Sequence, residues 1–275
     1  MTTVLVTGST DGLGRSVASE LARRGATVLV HGRSRERGRS TVAEIRAKTG
    51  NDGVEFHLAD LAELRQVNAL AAEIEQAHPE LDVLINNAGI GSGLPDSRSR
   101  QESRDGYELR FAVNYLAGFL LTQRLLPLLR RSAPARIVNV ASLGQHSIDF
   151  ANVMLTRDYS AGRAYGQSKL AQIMYTIELA QRVPADEVTV NSLHPGTYMP
   201  TKIVLDEIGR SVDTLESGTS ATVRLATDPE LEAVSGKFFD REQEATASAQ
   251  AYDPEARSAL WELSERLVGA KGAVT

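Results

Sequence analysis

The sequence predicts an α/β protein built as one doubly wound parallel sheet of about seven strands flanked by helices, and three observations carry that expectation. Short β-branched runs alternate with longer amphipathic segments, the rhythm of strands and crossover helices. Most of the short runs are almost wholly apolar, as strands covered on both faces must be. A glycine-rich turn, Gly8 to Gly14, sits directly between the first apolar run and the first amphipathic segment.

Strands are expected at residues 3–7, 27–31, 54–58, 83–86, 136–141, 188–193 and 237–239. Helices are expected at 13–24, 35–49, 62–77, 107–131 and 165–182, with Gly25 and Gly50 at left-handed C-caps. A last helix opens at Asp253-Pro254, an N-cap followed by proline at the first helical position, and Gly269 ends it. Residues 143–164 and 196–214 break the alternation. Both follow strand C-termini, where open α/β sheets bind ligands, so they read as excursions on the substrate side. No linker or repeat interrupts the chain, which reads as a single domain over 1–275.

The 275 residues are 42% hydrophobic and 24% charged, ordinary for a globular protein. Thirty basic against 35 acidic side chains leave a net charge of −5, which disfavours nucleic acid as a partner. The absence of cysteine removes disulfides, thiolate catalysis and cysteine-ligated zinc together. No segment reaches the roughly 18 uninterrupted apolar residues of a membrane span. A strand begins within three residues of the start, leaving no room for a signal peptide, so a cytoplasmic location is expected. The five histidines are scattered without ligand spacing, and no metal site is expected.

Glycines at 8, 12 and 14 permit a tight turn and let the backbone approach a pyrophosphate at a helix N-terminus, the mark of a Rossmann-type dinucleotide site. The second strand ends in Gly32-Arg33-Ser34, with no carboxylate for a ribose hydroxyl and a guanidinium suited to a 2′-phosphate. NADP(H) is therefore preferred over NAD(H), with Arg15 as a second cation near the phosphate. Tyr165 and Lys169, four apart, share a helix face, and an ammonium beside a phenol lowers the phenol pKa toward neutrality. Tyr198 and Lys202 have the same spacing, but Pro200 opposes a helix through them. Only Tyr165 combines the helix with a serine, Ser142, at a strand end.

Taken in order, Thr7–Gly14, Asp60-Leu61, Asn86–Gly89, Asn114, Ser142, Tyr165 with Lys169, and Pro195-Gly196 resemble the short-chain dehydrogenase/reductase family along nearly the whole chain. The stretches around Asn114, Ile148 to Phe150 and Asn191 to Gly196 resemble its retinol-dehydrogenase-like branch. The resemblance implies Tyr165 as acid/base, Lys169 as its pKa-lowering partner and ribose ligand, Ser142 as the group polarising a carbonyl, and Asn114 as holder of a relay water. It implies cofactor contacts at Gly8, Ser9, Thr10, Asp11, Gly12, Leu13, Gly14, Arg33, Ser34, Asp60, Leu61, Asn87, Ala88, Gly89, Tyr165, Lys169, Pro195 and Gly196. The activity implied is hydride transfer between NADP(H) and a carbonyl or secondary alcohol, with a bulky lipophilic or polycyclic ketone or aldehyde as substrate and a homodimer or homotetramer as assembly. An idle NADP(H)-binding sensor or scaffold is the competing class, but it has no chemical need for the Asn114, Ser142, Tyr165 and Lys169 set. The apolar residues Tyr198, Met199, Ile203, Val204 and Leu205 suggest a lid, with Phe150 and Met154 as a second flap or as packing within their own excursion.

Overall fold

The computed structural model describes residues 2–93, 99–200, 204 and 209–269. Eight strands form one sheet: β1 (Thr3–Val6), β2 (Thr27–Gly32), β3 (Val54–Leu58), β4 (Val83–Asn86), β5 (Ala135–Val140), β6 (Val188–His194), β7 (Phe238–Asp240) and β8 (Gln243–Glu244). Their order is β3-β2-β1-β4-β5-β6-β7-β8, parallel throughout except for the β7–β8 pair. The order reverses at β1, which pairs with both β2 and β4, and this opens a crevice at the C-terminal ends of those strands. The seven expected strands are all present. The two-residue β8 was not expected, being too short and polar to leave a periodic trace.

Among the described residues, seven α-helices cover the sheet: α1 (Gly12–Arg23), α2 (Arg35–Thr49), α3 (Leu64–Ala77), α4 (Ala117–Arg131, continued from a wide turn at Phe111–Leu116), α5 (Ala161–Arg182), α6 (Leu215–Thr227) and α7 (Pro254–Val268). Side chains alternate across each strand, so one face of the sheet packs on α1, α2 and α6 through Val4, Val6, Val83 and Ile85. The other face packs on α3, α4, α5 and α7 through Leu5, Leu84 and Ile137. The segment Phe111–Arg131 is the one described helix long and apolar enough to cross a membrane, and 78% of its most apolar stretch is buried in this second layer.

Two helices depart from the sequence expectation. α5 begins at Ala161, four residues early, because Ser160 accepts the Arg163 N–H and caps it. α6 lies in a Gly-, Ser- and Thr-rich stretch of weak helix formers and was not expected. Packing overrides propensity there: Thr214 caps its start, and Thr219 Oγ1 donates to Ser16 Oγ of α1 at 2.8 Å.

Candidate active site

The turn after β1 is held open by its glycines. Gly8 and Gly12 have φ of +64° and +50°, and a Cβ at Gly8 would lie 2.8 Å from the Ala88 Cα. Asp11 caps α1 by accepting the Gly12 N–H at 2.8 Å. Asn87 Nδ2 donates to the Thr7 and Gly8 carbonyls, while Thr7 Oγ1 accepts the Asn87 and Ala88 N–H groups, both at 3.0 Å. The segments after β1 and β4 are thereby joined into one wall.

That wall borders a cleft of about 610 Å³ lined by Gly8, Thr10, Asp11, Gly12, Leu13, Gly14, Arg33, Asp60, Leu61, Asn87, Ala88 and Gly89. Two of the residues expected to contact cofactor point their side chains elsewhere. Ser9 Oγ donates to the Val6 carbonyl at 2.7 Å and accepts the His31 N–H at 2.9 Å. Ser34 caps α2 by accepting the Arg37 N–H. Arg15 is not a cleft residue. It pairs with Glu44 at 3.1 Å, because α1 turns it toward α2. The second cation at the cleft is Arg37, in the first turn of α2, exposed beside Arg33. The spacing from the Ser34 cap could have singled it out of its basic run.

His31 also went unassigned from the sequence. It is buried at the floor of the cleft, where Nδ1 accepts the Gly8 N–H at 3.0 Å and Nε2–H donates to the Ala59 carbonyl at 3.2 Å. Burial pushes its pKa down to about 4, which fits the neutral ring this bonding needs. A histidine breaking an otherwise apolar strand was the available signal.

A second cavity of about 950 Å³ shares Leu13, Asn87 and Gly89 with the first. Ser142, Tyr165, Lys169, Pro195 and Gly196 line it. Ser142 Oγ accepts the Gly144 N–H at 3.0 Å, which leaves the hydroxyl proton available to donate. Lys169 Nζ donates to the Val140 carbonyl at 2.8 Å and to Gln172 Oε1 at 3.0 Å, and lies 5.7 Å from the centre of the Tyr165 ring. Burial pushes the Lys169 pKa down to about 7. Beneath the site, Asn86 donates to Asn139 at 2.9 Å and Asn139 to Thr176 at 2.9 Å, a buried chain that fixes β4, β5 and α5 in register.

Asn114 lies in the wide turn that opens α4. Its side chain accepts the Ile90 N–H at 2.8 Å and donates to the Ile90 carbonyl and to Ser168 Oγ, so the amide is fully engaged in bracing the loop after Gly89. Arg110, fully buried, braces the same loop through the Gly91 and Ser92 carbonyls and the Tyr159 hydroxyl. A lone arginine before the apolar run Phe111–Leu116 was its only trace in the sequence.

The excursions divide unequally. Of residues 143–164, Leu143, Gly144 and Ser160 to Gly162 line the second cavity. Ile148 is buried in the main core, Leu155 is buried, Met154 packs against that core and Phe150 is exposed; neither Phe150 nor Met154 lines the cavity, so they form neither a second flap nor a cluster within their own excursion. From 196–214, Tyr198, Met199 and Val204 line the cavity. Lys202, Ile203 and Leu205 lie outside the described residues. The ends of this segment are clasped: Asp213 Oδ2 accepts the Thr197 N–H and an Arg241 N–H, both at 2.6 Å, and Val212 N–H donates to the Tyr198 carbonyl at 2.9 Å.

Glycine-lined cleft, arginines, and the Ser142, Tyr165 and Lys169 cavity form the arrangement expected of a nicotinamide-dependent oxidoreductase. The short chain dehydrogenase family model matches residues 2–207, and the chain belongs to the short-chain dehydrogenase/reductase family. It is similar to retinol dehydrogenase 14 of Mus musculus, 38% identical over 97% of this chain and 86% of the relative. Retinol dehydrogenase 13 of Homo sapiens is likewise 38% identical, over 97% of this chain and 84% of its own length. These matches place the chain with the retinol-dehydrogenase-like branch. A short chain dehydrogenase from Shigella flexneri solved with NADP superposes with a TM-score of 0.72 at 28% identity, covering 88% of this chain and 97% of that one.

Proposed function

We propose that the chain reduces ketones or aldehydes of bulky, lipophilic character with NADPH, or oxidises the matching alcohols. The observation that carries the cofactor choice is the end of β2, where Arg33, joined by Arg37, stands at the cleft in place of a carboxylate. Two guanidinium groups suit a 2′-phosphate and leave a free ribose hydroxyl without its usual acceptor. The NADP-bound relative supports the same choice. The substrate class is supported by the apolar walls of the second cavity, Leu13, Ile90, Leu143, Met199 and Val204 among them, and by relatives named for a lipophilic alcohol.

A nicotinamide cofactor would be held by the Gly8–Gly14 turn, Asp60, Asn87 and Lys169, and would supply or accept the hydride. The chain's own residues handle position and protons. In the reductive direction Ser142 donates its hydroxyl hydrogen to the substrate oxygen, and Tyr165 donates the proton that completes the alcohol. Lys169, with a pKa near 7, shifts toward its charged form when the Tyr165 hydroxyl gives up its proton, which steadies the phenolate. The Asn114 amide, engaged with Ile90 and Ser168, holds the loop after Gly89 beside the site.

The test is NADPH and NADH consumption over a panel of lipophilic aldehydes, polycyclic ketones and small ketones. NADPH should be preferred by about 10- to 100-fold, the scale of one or two charge-assisted contacts. Arg33→Ala and Arg37→Ala should each erode that preference. Equal use of both cofactors, or a preference untouched by either substitution, overturns the assignment.

A further inference from the structure

Away from both clefts, at the outer edge of the sheet, the fold assembles three side chains with the donor atoms of a metal site. β3 is the edge strand, and alternation along it turns Glu55 and His57 to one side while Phe56 packs beneath Gly38 of α2. On the side of Glu55 and His57 lies the C-terminal end of α3, which carries Glu73 and is followed at once by His78. His57 and His78 are 21 residues apart, so no ligand spacing along the chain announces them. The imidazole rings meet edge to face with centres 5.9 Å apart.

Three features separate this cluster from an ordinary surface ion pair. First, His57 Nε2 and His78 Nε2 are buried and, among the described residues, have no hydrogen-bond partner. Buried ring nitrogens left in that state are costly unless something else engages them. Second, one ligand atom from each of Glu55, His57 and His78 lies within 4.8 Å of the others, with His78 Nε2 already 3.5 Å from Glu55 Oε2. Tetrahedral ligands at metal distances near 2.1 Å sit about 3.4 Å apart, so the widest gap closes by roughly an ångström and a half. Glu55 is half exposed and free to make that movement. Third, His57 Nδ1 lies 2.9 Å from Glu73 Oε1. A carboxylate there keeps the proton on Nδ1 and leaves the buried Nε2 with its lone pair, as the outer carboxylate of a metal-bound histidine does.

We propose that Glu55, His57 and His78 bind one Zn²⁺ ion, with Glu73 orienting His57. Two imidazoles and a carboxylate favour Zn²⁺ over Mg²⁺ or Ca²⁺, which want all-oxygen shells. Three protein ligands leave a fourth position for water. The ion would fasten the unpaired edge of β3 to the end of α3, and this strand runs on into Asp60 and Leu61 at the nucleotide cleft.

The experiment is calorimetric titration of ZnCl₂ into tag-free protein previously stripped with EDTA. The expected result is one ion per chain with a Kd of about 1 µM or tighter. His78→Gln and Glu55→Gln, both at partly exposed positions where folding is safe, should weaken binding by at least about 10-fold. Glu73→Gln should weaken it by about 10-fold, the usual effect of losing an outer carboxylate. Added Zn²⁺ should raise the Tm of the unsubstituted protein and not that of His78→Gln. A Kd weaker than about 100 µM, as a merely water-bridged cluster would give, overturns the proposal. So does equal affinity in His78→Gln and Glu55→Gln.

Discussion

Lys169 Nζ donates to the Val140 carbonyl oxygen at 2.8 Å, so one buried amine ties the helix carrying Tyr165 to the strand that ends two residues before Ser142. Burial lowers its pKa to about 7, whereas an unfolded lysine titrates near 10.4. Between those values the unfolded chain holds a proton that the folded chain has lost, so stability rises with pH across the window. Moving from pH 7 to 9.5 should stabilise the native protein relative to Lys169→Met by up to about 3 kcal/mol. Urea unfolding of both proteins at both pH values measures it. Parallel pH slopes would refute the buried-lysine account.

Tyr165→Phe should retain the fold and NADPH affinity while turnover falls by at least about 10²-fold. Tyr198 also lines the cavity, but it is exposed, sits at φ of +47° and belongs to no helix. Its phenylalanine variant should lose less than about 3-fold in kcat, since general acid–base help is absent there. A kcat comparison of the two variants decides the point, and an essential Tyr198 would reverse the assignment.

His31 makes the cleft sensitive to acid. Its folded pKa of about 4 lies below the unfolded value of about 6.5, so its contribution is complete above pH 6.5 and drains away as pH falls toward 4. His31→Phe removes the acceptor of the Gly8 N–H and should weaken NADPH binding by about 10-fold, the scale of one unsatisfied donor. The same variant should show a flatter loss of stability between pH 7 and 4.5. Fluorescence titration with NADPH and urea midpoints at the two pH values provide the readouts, and an unchanged acid slope contradicts the bridge.

Range along the chain decides which of these features the sequence makes legible. The strands and the Gly8 to Gly14 turn are local patterns, and the sequence announces them within a few residues. α6 could not be read, because Thr219 finds its stabilising partner, Ser16, about 200 positions away. Tyr165 and Lys169 were readable as one helix face. The burial that lowers the lysine pKa comes from tertiary packing, and no spacing rule encodes it. The error at Arg15 has the same origin: its charge is visible in the sequence, but Glu44, which takes it, lies on another helix. The fate of Met154 is likewise decided by packing on the core, which composition cannot distinguish from pocket lining.

Asp213 should control access to the substrate cavity without touching the proton transfer. The Thr197 N–H and then the Arg241 guanidinium hold its carboxyl below the ordinary aspartate range. Asp213→Asn weakens both bonds. The expected result is a KM for a lipophilic ketone raised about 3- to 10-fold with kcat little changed, the signature of lost binding. Steady-state kinetics test it, and a fall in kcat at constant KM would place Asp213 in the chemistry instead.

The Thr197–Asp213 clasp has a consequence for descent as well as for binding. With both ends of the segment fixed by backbone bonds to each other, lengthening the chain between them costs only about 0.6 kcal/mol per doubling. Changes of length beyond Met199, which is itself buried in the core, should leave β6, Ser142 and Tyr165 where they are. A lineage carrying this clasp can change its diet while keeping its chemistry, and a protein engineer can exchange the same stretch as a cassette.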